Sequence, residues 1–245
     1  LGALMLGVAA IGTVGSVAEA MRDGISGNAR LLLGGDIEMR TLYAEPPAEV
    51  VSLARQYGTL ARTREMRAML QNADERKLVA LKAVDDSWPL VGTPEIEGGA
   101  SLPLGPGTIL IDPALTRAMG LQVGDTARIG REEVTVAGIL AYEPDRSVSF
   151  ITFGPRILMS METLAATGLD QPGAMITHRL RLLLDDQTER VAATAALKAA
   201  TADGFVRLRD LLDAAPGFDV FIDRTEVFLV LVGLTALLIG GLGVA

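Results

Sequence analysis

The sequence predicts an α+β domain that contains a small β-barrel and lies between two membrane-spanning helices. Two uncharged apolar runs, Leu1–Ala18 and Val227–Ala245, stand at the ends of the 245-residue chain. The second run has 19 residues, and a helix of that length is about 28 Å long, close to the hydrocarbon thickness of a bilayer. Between the runs, short segments with alternating apolar and polar residues are separated by Gly-containing turns, a pattern typical of strands.

The two ends of the chain predict truncated transmembrane helices at 1–18 and 227–245. No basic residues precede the first run, which is unlike a signal peptide. We therefore expect the chain to be a segment of a longer protein, cut inside both helices. Apolar residues keep a helical spacing through Glu19–Leu33, and Gly34-Gly35 follows where a helix C-cap needs a positive φ. This pattern predicts a stalk helix over 19–35.

Residues 36–88 are predicted to form the first part of an α+β lobe. Their apolar residues alternate at a period of two in three segments and at helical spacing in one. Pro at the first turn favours the start of a helix, and Asn, Asp and Glu between two strand-like segments favour a turn. The predicted elements are a strand at Asp36–Leu42, a helix that opens at Pro46-Pro47, strands at Leu60–Leu70 and Lys77–Val84, and a turn at Asn72–Glu75.

Residues 89–168 are predicted to form a subdomain that contains the small β-barrel. A stretch rich in Gly and Pro, 87–106, marks the connection into it. A tight turn at Gly130-Arg131 joins two strands, and Ser160 is positioned to cap a helix. The predicted elements are strands at Thr108–Ile111, Thr126–Ile129, Glu133–Leu140 and Arg156–Ser160, and helices at Pro113–Met119 and Met161–Ala166.

Residues 169–207 are predicted to complete the α+β lobe. A strand at Ile176–Leu184 precedes an amphipathic helix at Glu189–Ala200. From Leu208 onward, apolar residues recur at steps of three and four and continue into the second membrane run. This stripe predicts a second stalk over 208–226.

Composition excludes several classes of function. The 30 acidic and 22 basic residues give a net charge of −8, which argues against a nucleic-acid partner because phosphate binding needs a basic footprint. The chain has no cysteine, so disulfides and thiolate metal sites are excluded. None of its three lysines follows a glycine, so a Walker A phosphate loop is absent. With His178 as the one histidine, we predict no catalytic, cofactor-binding or metal residues and no cofactor.

Three further groups of residues have a structural and a functional interpretation. Arg62 and Arg64 share a strand face, which is either a solvated surface or a site for an anionic partner; we favour the solvated surface. The pairs Asp85-Asp86 and Asp185-Asp186 stand at strand ends, where carboxylates commonly make turns and caps. His178 lies in the middle of a strand, where a half-buried or solvent-facing side chain is expected.

Four stretches in order resemble the permease subunits of the FtsX-like/MacB-like ABC transporter family, most closely its YbbP-like members. They cover nearly the whole chain and include a small-residue-rich first helix with its stalk and a second helix at the end. The stretches are VAAIGTVGSVAEAM with NARLLLGGDIEMR, ILIDPALTRAMGLQVGDTARIGREEVTVAGILAYEPD, GPRILMSMETLAATGL with the turn at 171–173, and FLVLVGLTALLIGGLGVA.

The resemblance implies a periplasmic domain inserted between the first two transmembrane helices of a permease in the bacterial inner membrane, with residues 19–226 mainly periplasmic. It implies a partner ABC-type ATPase that hydrolyses ATP, so that this chain is not itself an enzyme. It also implies mechanotransmission, coupled to export or extraction of lipid-like or hydrophobic substrates. Expected partners are further transmembrane helices or a second permease copy, and a periplasmic protein. In related families the periplasmic partners include efflux proteins, lipoproteins or an esterase-type protein.

Two other classes of protein would produce a similar pattern. A bitopic sensor places an extracellular ligand-binding domain between two membrane helices that report to a cytoplasmic kinase. A membrane-tethered enzyme would need a nucleophile and base, and the sequence contains no such motif. The sequence beyond Ala245 distinguishes the permease from the sensor. Two further hydrophobic spans favour a permease, whereas a signalling domain favours a sensor.

Overall fold

The computed structural model describes residues 29–73, 75–146, 154–202 and 204–211. Residues Leu31–Asp210 form one compact unit, and a second unit comprises Leu1–Arg30 and Leu211–Ala245. The predicted transmembrane runs, and most of both predicted stalks, lie outside the described residues. Within the described ranges, no helix is long and apolar enough to cross a membrane.

The compact unit is built mainly from strands. Residues 29–33 are helical, and Gly34 follows them with a φ of 74°, as predicted for a helix end. The strands are β1 (Ile37–Leu42), β2 (Gly58–Gln71), β3 (Arg76–Val84), β4 (Glu95–Glu97), β5 (Thr108–Ile111), β6 (Thr126–Ile129), β7 (Glu132–Tyr142), β8 (Arg156–Ser160), β9 (Thr177–Leu184) and β10 (Arg207–Asp210). The α-helices are α1 (Ala48–Arg55), α2 (Pro113–Met119), α3 (Met161–Thr167) and α4 (Arg190–Ala200).

Within the described residues, all ten strands belong to one sheet, in the order β10-β1-β9-β2-β3-β8-β5-β7-β4, with β6 paired to β2 and β7. The pairs β3–β8 and β5–β7 are parallel and the others are antiparallel. The pairings β2–β3–β8–β5–β7–β6 therefore return to β2 as a ring. This ring takes two of its strands from residues before 89, so the strands predicted within 89–168 do not complete it alone.

Strand β2 joins the two halves of the sheet. Its first eight residues pair with β9, and its later residues pair with β3 and β6. Apolar side chains on one face of the ring form a buried core that includes Leu70, Leu81, Ile129 and Ile157. A second core lies where α1 and α4 cover β1 and β9. The helices thus bury one face of β1 and β9. Because side chains alternate along a strand, every second side chain of β1 and β9 points to the opposite face.

Most predicted elements are confirmed to within a few residues, and the stripe that starts at Leu208 is the main correction. Arg207–Asp210 is not the start of a stalk helix but the edge strand β10, in which Leu208 pairs with Met39. These four residues alternate between polar and apolar, which suits a strand paired to the open edge of β1. That pairing overrides the helical spacing towards later residues. The short strand β4 was not predicted, because three residues carry too little periodicity.

The Gly130 turn between β6 and β7 predicts a measurable difference between two glycine-to-alanine variants. Gly120 and Gly130 both have positive φ, 66° and 59°. A Cβ at Gly120 would meet no atom within 4 Å, whereas a Cβ at Gly130 would lie 2.3 Å from the carbonyl oxygen of Thr167. We expect Gly120→Ala to lower the free energy of unfolding by about 1 kcal/mol and Gly130→Ala by about 3 kcal/mol. Urea denaturation of the full chain, followed by fluorescence of its one tryptophan, measures both; equal losses would contradict the prediction.

Candidate functional site

The face of the sheet away from α1 and α4 carries a layer of charged side chains, which we call the buried ion network. In β9, Leu180 and Leu182 join the core under the helices, while Arg179 and Arg181 point to the opposite face. Four cations balance four carboxylates in this layer. The network consists of Lys82, Arg156, Arg179, Arg181, Glu38, Glu65, Glu143 and Asp145.

Lys82 and Asp145 form the centre of the network. The Lys82 Nζ lies 2.6 Å from an oxygen of Glu143 and 2.6 Å from Oδ1 of Asp145. The other oxygen of Asp145 accepts a hydrogen bond of 3.0 Å from Nε1 of Trp88 and lies 3.0 Å from Nη1 of Arg181. The Lys82 and Asp145 side chains are each about 1% exposed. Charges buried this deeply need close ion-pair and hydrogen-bond partners, because desolvation alone would strongly destabilise them.

Arg181 extends the network to the end of the helical segment 29–33. Its Nε donates a hydrogen bond of 2.9 Å to the backbone carbonyl of Leu33, and its Nη1 donates one of 3.1 Å to Thr63. A Cβ at Gly34 would lie 2.8 Å from the side chains of both Arg181 and Asp145, so glycine is needed for this close approach. The residue that follows the helical segment therefore packs directly on the network.

The other side of the network reaches the ring strands and the edge of the lobe. In β8, Arg156 lies 2.6 Å from Glu143, which also binds Lys82 of β3. In β9, the Arg179 Nη1 lies 2.7 Å from Glu38 of β1, and its Nε lies 3.2 Å from Glu65 of β2. The network thus connects five strands, β1, β9, β2, β3 and β8, through side chains rather than through the backbone ladder alone.

The network shifts the pKa values of several of its ionisable side chains. Burial opposes ionisation of Asp145, but the charges of Lys82 and Arg181 outweigh it and hold the pKa of this carboxyl well below its usual range. Burial likewise opposes ionisation of Glu65, and Arg179 outweighs it and lowers the pKa of Glu65. The pKa of Arg179 is raised, because Glu65 and Glu38 more than compensate for its burial. At neutral pH Asp145, Glu65 and Arg179 are therefore charged.

These shifts predict that the domain loses stability in acid. A carboxyl whose pKa is lower in the folded state than in the unfolded state stabilises the fold above its unfolded pKa, about 4. That contribution is lost as the pH falls from about 4 towards the folded pKa. We expect the free energy of unfolding of the full chain to decline steeply below about pH 4, and less steeply in Asp145→Asn. Denaturant titrations at several pH values measure this; parallel declines in the two proteins would contradict it.

A cleft of about 420 Å³ lies where α1 meets β2 and β9. Apolar side chains line part of it, among them Val51 of α1, Leu60 of β2 and Leu180 of β9. The exposed arginines Arg55 and Arg62 line it as well. We call this feature the Arg62 cleft; its other lining residues are Glu45, Pro46, Thr63, Arg64, Asp85, Ser87, Met161, His178 and Arg179.

The structure brings four of the sequence-derived candidates, Arg62 among them, to the Arg62 cleft. Arg64 forms ion pairs with Glu45 and Asp170, so the predicted solvated arginine face is wrong for this residue. His178 is buried, and its burial and then the charge of Arg64 lower its pKa, which keeps it neutral at pH 7. Asp85 accepts a 2.8 Å hydrogen bond from the backbone N–H of Arg62, and burial raises its pKa.

Asp186 has the structural role that was predicted. Its Oδ1 accepts hydrogen bonds from the backbone and hydroxyl of Thr188 and caps a 3₁₀ turn at Gln187–Glu189. In the part of the chain that the structure describes, no three His, Asp or Glu side chains are grouped so that they could hold a metal ion.

The buried ion network was missed in the sequence. One signal was present: Lys82 interrupts the otherwise apolar strand LVALKAV, and Arg179 and Arg181 alternate with leucines in THRLRLLL. A charged residue at every second position of a buried strand indicates a charged layer on one face. The pattern does not identify the partners, because Glu143 and Asp145 follow Lys82 by about 60 residues and approach it only through the sheet.

Comparisons with known proteins agree on one family. A sequence model described as the MacB-like periplasmic core domain matches residues 1–200. The chain is 28% identical over 179 residues to the uncharacterized ABC transporter permease YbbP of Escherichia coli strain K12; the match covers 73% of this chain and 22% of that protein. The chain thus spans about a fifth of the length of that relative.

A solved structure shares the fold. The periplasmic region of MacB from Actinobacillus actinomycetemcomitans superposes with a TM-score of 0.51 at 10% identity. The superposition covers 79% of this chain and 94% of that structure. At this identity the match concerns the mixed α/β, sheet-dominated architecture.

Proposed function

Because the chain belongs to the MacB-like periplasmic core domain family, we propose that it couples ATP hydrolysis by a separate ATPase to conformational change outside the membrane. The chain comprises the periplasmic domain and two flanking membrane helices of an ABC transporter permease subunit in the bacterial inner membrane. Its catalytic step, ATP hydrolysis, takes place in the partner. The work done on the periplasmic side is the export or extraction of lipid-like or hydrophobic substrates.

The contact between Arg181 and the Leu33 carbonyl is the observation that supports coupling. Leu33 is the last helical residue before β1, and Arg181 joins it to Asp145, which binds Lys82. A displacement of the helical end therefore acts on β1, β9 and β3 together, since leaving one member of a buried ion pair without its partner costs about 3–5 kcal/mol. Packed elements of this kind transmit motion as a rigid body rather than by bending.

The same proposal divides the periplasmic domain into a lobe and a subdomain. Residues 36–88 and 169–207 form the α+β lobe, and residues 89–168 form the barrel-containing subdomain. The ring β2–β3–β8–β5–β7–β6, closed around its own apolar core, supports the presence of the small β-barrel, with β2 and β3 shared between lobe and ring. The two stalks are residues 19–35 and 211–226.

Co-purification of the full-length protein from its native membrane tests the proposed function. We expect mass spectrometry to identify an ABC-type ATPase at comparable abundance, together with further transmembrane segments of the same permease. Recovery of a histidine kinase in place of an ATPase, or a kinase domain encoded after Ala245, would instead establish a bitopic sensor.

Disulfide trapping tests the predicted stalk. The 245 residues contain no cysteine, so every disulfide formed within them reports an introduced pair. We expect pairs placed along 19–33 and 218–226 to cross-link at several matched positions, because two antiparallel helices that flank one domain pack side by side. Failure at every pairing would contradict the stalk, and pairs between 19–33 and the exposed Glu133 provide the negative control.

A further inference from the structure

The two outer strands of the sheet carry opposite charges. In the order of the described strands, β10 stands at one end and β4 at the other. Residues 207–209 of β10 read Arg-Leu-Arg, and both arginines are exposed. Strand β4, Glu95–Glu97, reads Glu-Ile-Glu, and both glutamates are exposed. We call β10 the basic edge and β4 the acidic edge.

The apolar residue in the middle of each edge faces a buried core. Leu208 is partly buried and packs against the core under α1 and α4. Ile96 is partly buried and packs against a third core, which includes Trp88. Because side chains alternate along a strand, the charged residues of each edge point to the other face. A basic edge laid beside an acidic edge therefore brings Leu208 next to Ile96 on one face and arginines next to glutamates on the other.

The charges of both edges lack close partners within one copy of the chain. Glu95, Glu97 and Arg207 form no ion pair among the described residues. Arg209 lies 4.0 Å from an oxygen of Glu38, a member of the buried ion network, and its side chain is 46% exposed. The exposed charges of both edges are therefore available to a partner.

A like-charged contact adds to the positive charge of the basic edge. Arg207 lies directly opposite Arg40 of β1. Arg40 likewise forms no ion pair in the part of the chain that the structure describes. Like charges directly opposite each other in an antiparallel pair are destabilising. A glutamate next to Arg207 on the open side of β10 would offset this repulsion.

Charges on an outer strand commonly keep sheets apart. Charged side chains discourage an edge strand from pairing with the same edge of another molecule, because equal charges would meet. In this protein that repulsion acts between two basic edges and between two acidic edges. It does not act between a basic edge and an acidic edge, whose charges are complementary. The charge pattern therefore selects the acidic edge of a second copy as the partner of the basic edge.

We propose that the basic edge of one copy of this chain pairs with the acidic edge of a second copy, so that their sheets join side by side. Backbone groups of the two outer strands supply the hydrogen bonds, and the two arginines pair with the two glutamates. Three residues on each strand are too few for a tight complex in solution, but a membrane that holds both copies raises their local concentration. Each contact leaves one basic and one acidic edge open, so the copies form rings or chains. The membrane setting rests on the proposed function; the edge pairing does not.

Energy transfer between labelled copies in lipid vesicles tests the proposal. The probe is the full chain with Glu133→Cys, an exposed position in β7, labelled with a donor dye in one batch and an acceptor dye in another. We expect Arg207→Glu to weaken the association about fivefold, because a cross-strand attraction becomes a repulsion. Arg117→Glu makes the same change of charge at an exposed position on α2 outside both edges, and should leave the association unchanged.

Compensating substitutions make the outcome decisive and give the direction of the strands. With Leu208 next to Ile96, Arg207 lies next to Glu97 in an antiparallel pairing and next to Glu95 in a parallel one. We therefore expect one of the double variants, Arg207→Glu/Glu97→Arg or Arg207→Glu/Glu95→Arg, to restore the association that Arg207→Glu weakens. A role of these charges in folding alone would not produce such a restoration.

Several results would overturn the inference. They are an absence of energy transfer between wild-type copies, wild-type association in Arg207→Glu, and restoration by neither double variant. A loss in Arg207→Glu that Glu95→Arg/Glu97→Arg does not reproduce would indicate an acidic partner other than a second copy. If tryptophan fluorescence shows that a reversed variant is unfolded, Arg207→Gln and Glu97→Gln replace it, and each should weaken the association about twofold. An ATPase that co-purifies while the copies fail to associate through these edges would leave the proposed function intact.

Discussion

Replacing Asp145 with asparagine is expected to lower the free energy of unfolding by about 3–5 kcal/mol. The substitution keeps the size of the side chain but removes the charge that Lys82 and Arg181 share, at 2.6 and 3.0 Å. Both cations then remain buried with one carboxylate fewer, which is the costly way to break a buried ion pair. Denaturant unfolding of the full chain, followed by the fluorescence of the buried Trp88, measures the loss.

A matched variant and a double-mutant cycle separate this effect from a general loss of charge. Asp86→Asn removes an exposed carboxylate in the turn after β3 and should change stability by less than about 0.5 kcal/mol. Lys82→Met/Asp145→Asn should lose less stability than the sum of its single variants, because the second substitution removes the uncompensated cation. Strictly additive losses would show that Lys82 and Asp145 do not interact.

In the proposed permease–ATPase complex, replacing Arg181 with methionine is expected to reduce permease-dependent ATP hydrolysis by about tenfold, in addition to destabilising the domain. Methionine fills similar space but leaves the Leu33 carbonyl, the Thr63 hydroxyl and Asp145 without this donor. The link between the helical end and the strands is thereby removed. The measurement is ATP hydrolysis by the purified complex in lipid nanodiscs, on variants that remain folded at the assay temperature.

Arg181→Lys distinguishes a loss of coupling from a loss of stability. Lysine keeps the positive charge beside Asp145, but it lacks the planar fork that binds Asp145, Thr63 and the Leu33 carbonyl at once. We expect Arg181→Lys to retain more stability than Arg181→Met and yet to show a similar reduction in ATP hydrolysis. Wild-type hydrolysis in both variants would mean that Arg181 has a structural role alone.

The strands were predictable because their period-two patterns are local. Thr108–Ile111, Thr126–Ile129 and Arg156–Ser160 were placed with the bounds that the structure shows, and Ser160 caps α3 by accepting the N–H of Thr163. Glycine with a positive φ at Gly34 was likewise expected from its place after a helical stripe. Each of these features depends on residues within a few positions of one another.

The functional surfaces were less predictable, since they depend on which strands are neighbours. The ion network needs β8 to lie parallel to β3 and the Glu143–Asp145 segment to return over Lys82. Arg62 and Arg64 share a strand face in sequence, yet Arg64 is bound by Glu45 and Asp170 while Arg62 is exposed. Leu208 has helical spacing towards later residues, but the open edge of β1 determines its conformation.

Distance measurement by electron spin resonance on the proposed permease–ATPase complex tests the central claim, that the compact domain moves as one body with the helical segment that ends at Leu33. Spin labels on Glu49→Cys in α1 and Glu133→Cys in β7 are both exposed, and the chain has no natural cysteine. We predict that trapping the complex with ATP and vanadate leaves the distance between these two labels unchanged and shifts the distance from Glu49→Cys to a label on the ATPase. An altered distance between the two domain labels, or no shift relative to the ATPase, would contradict rigid transmission through the buried ion network.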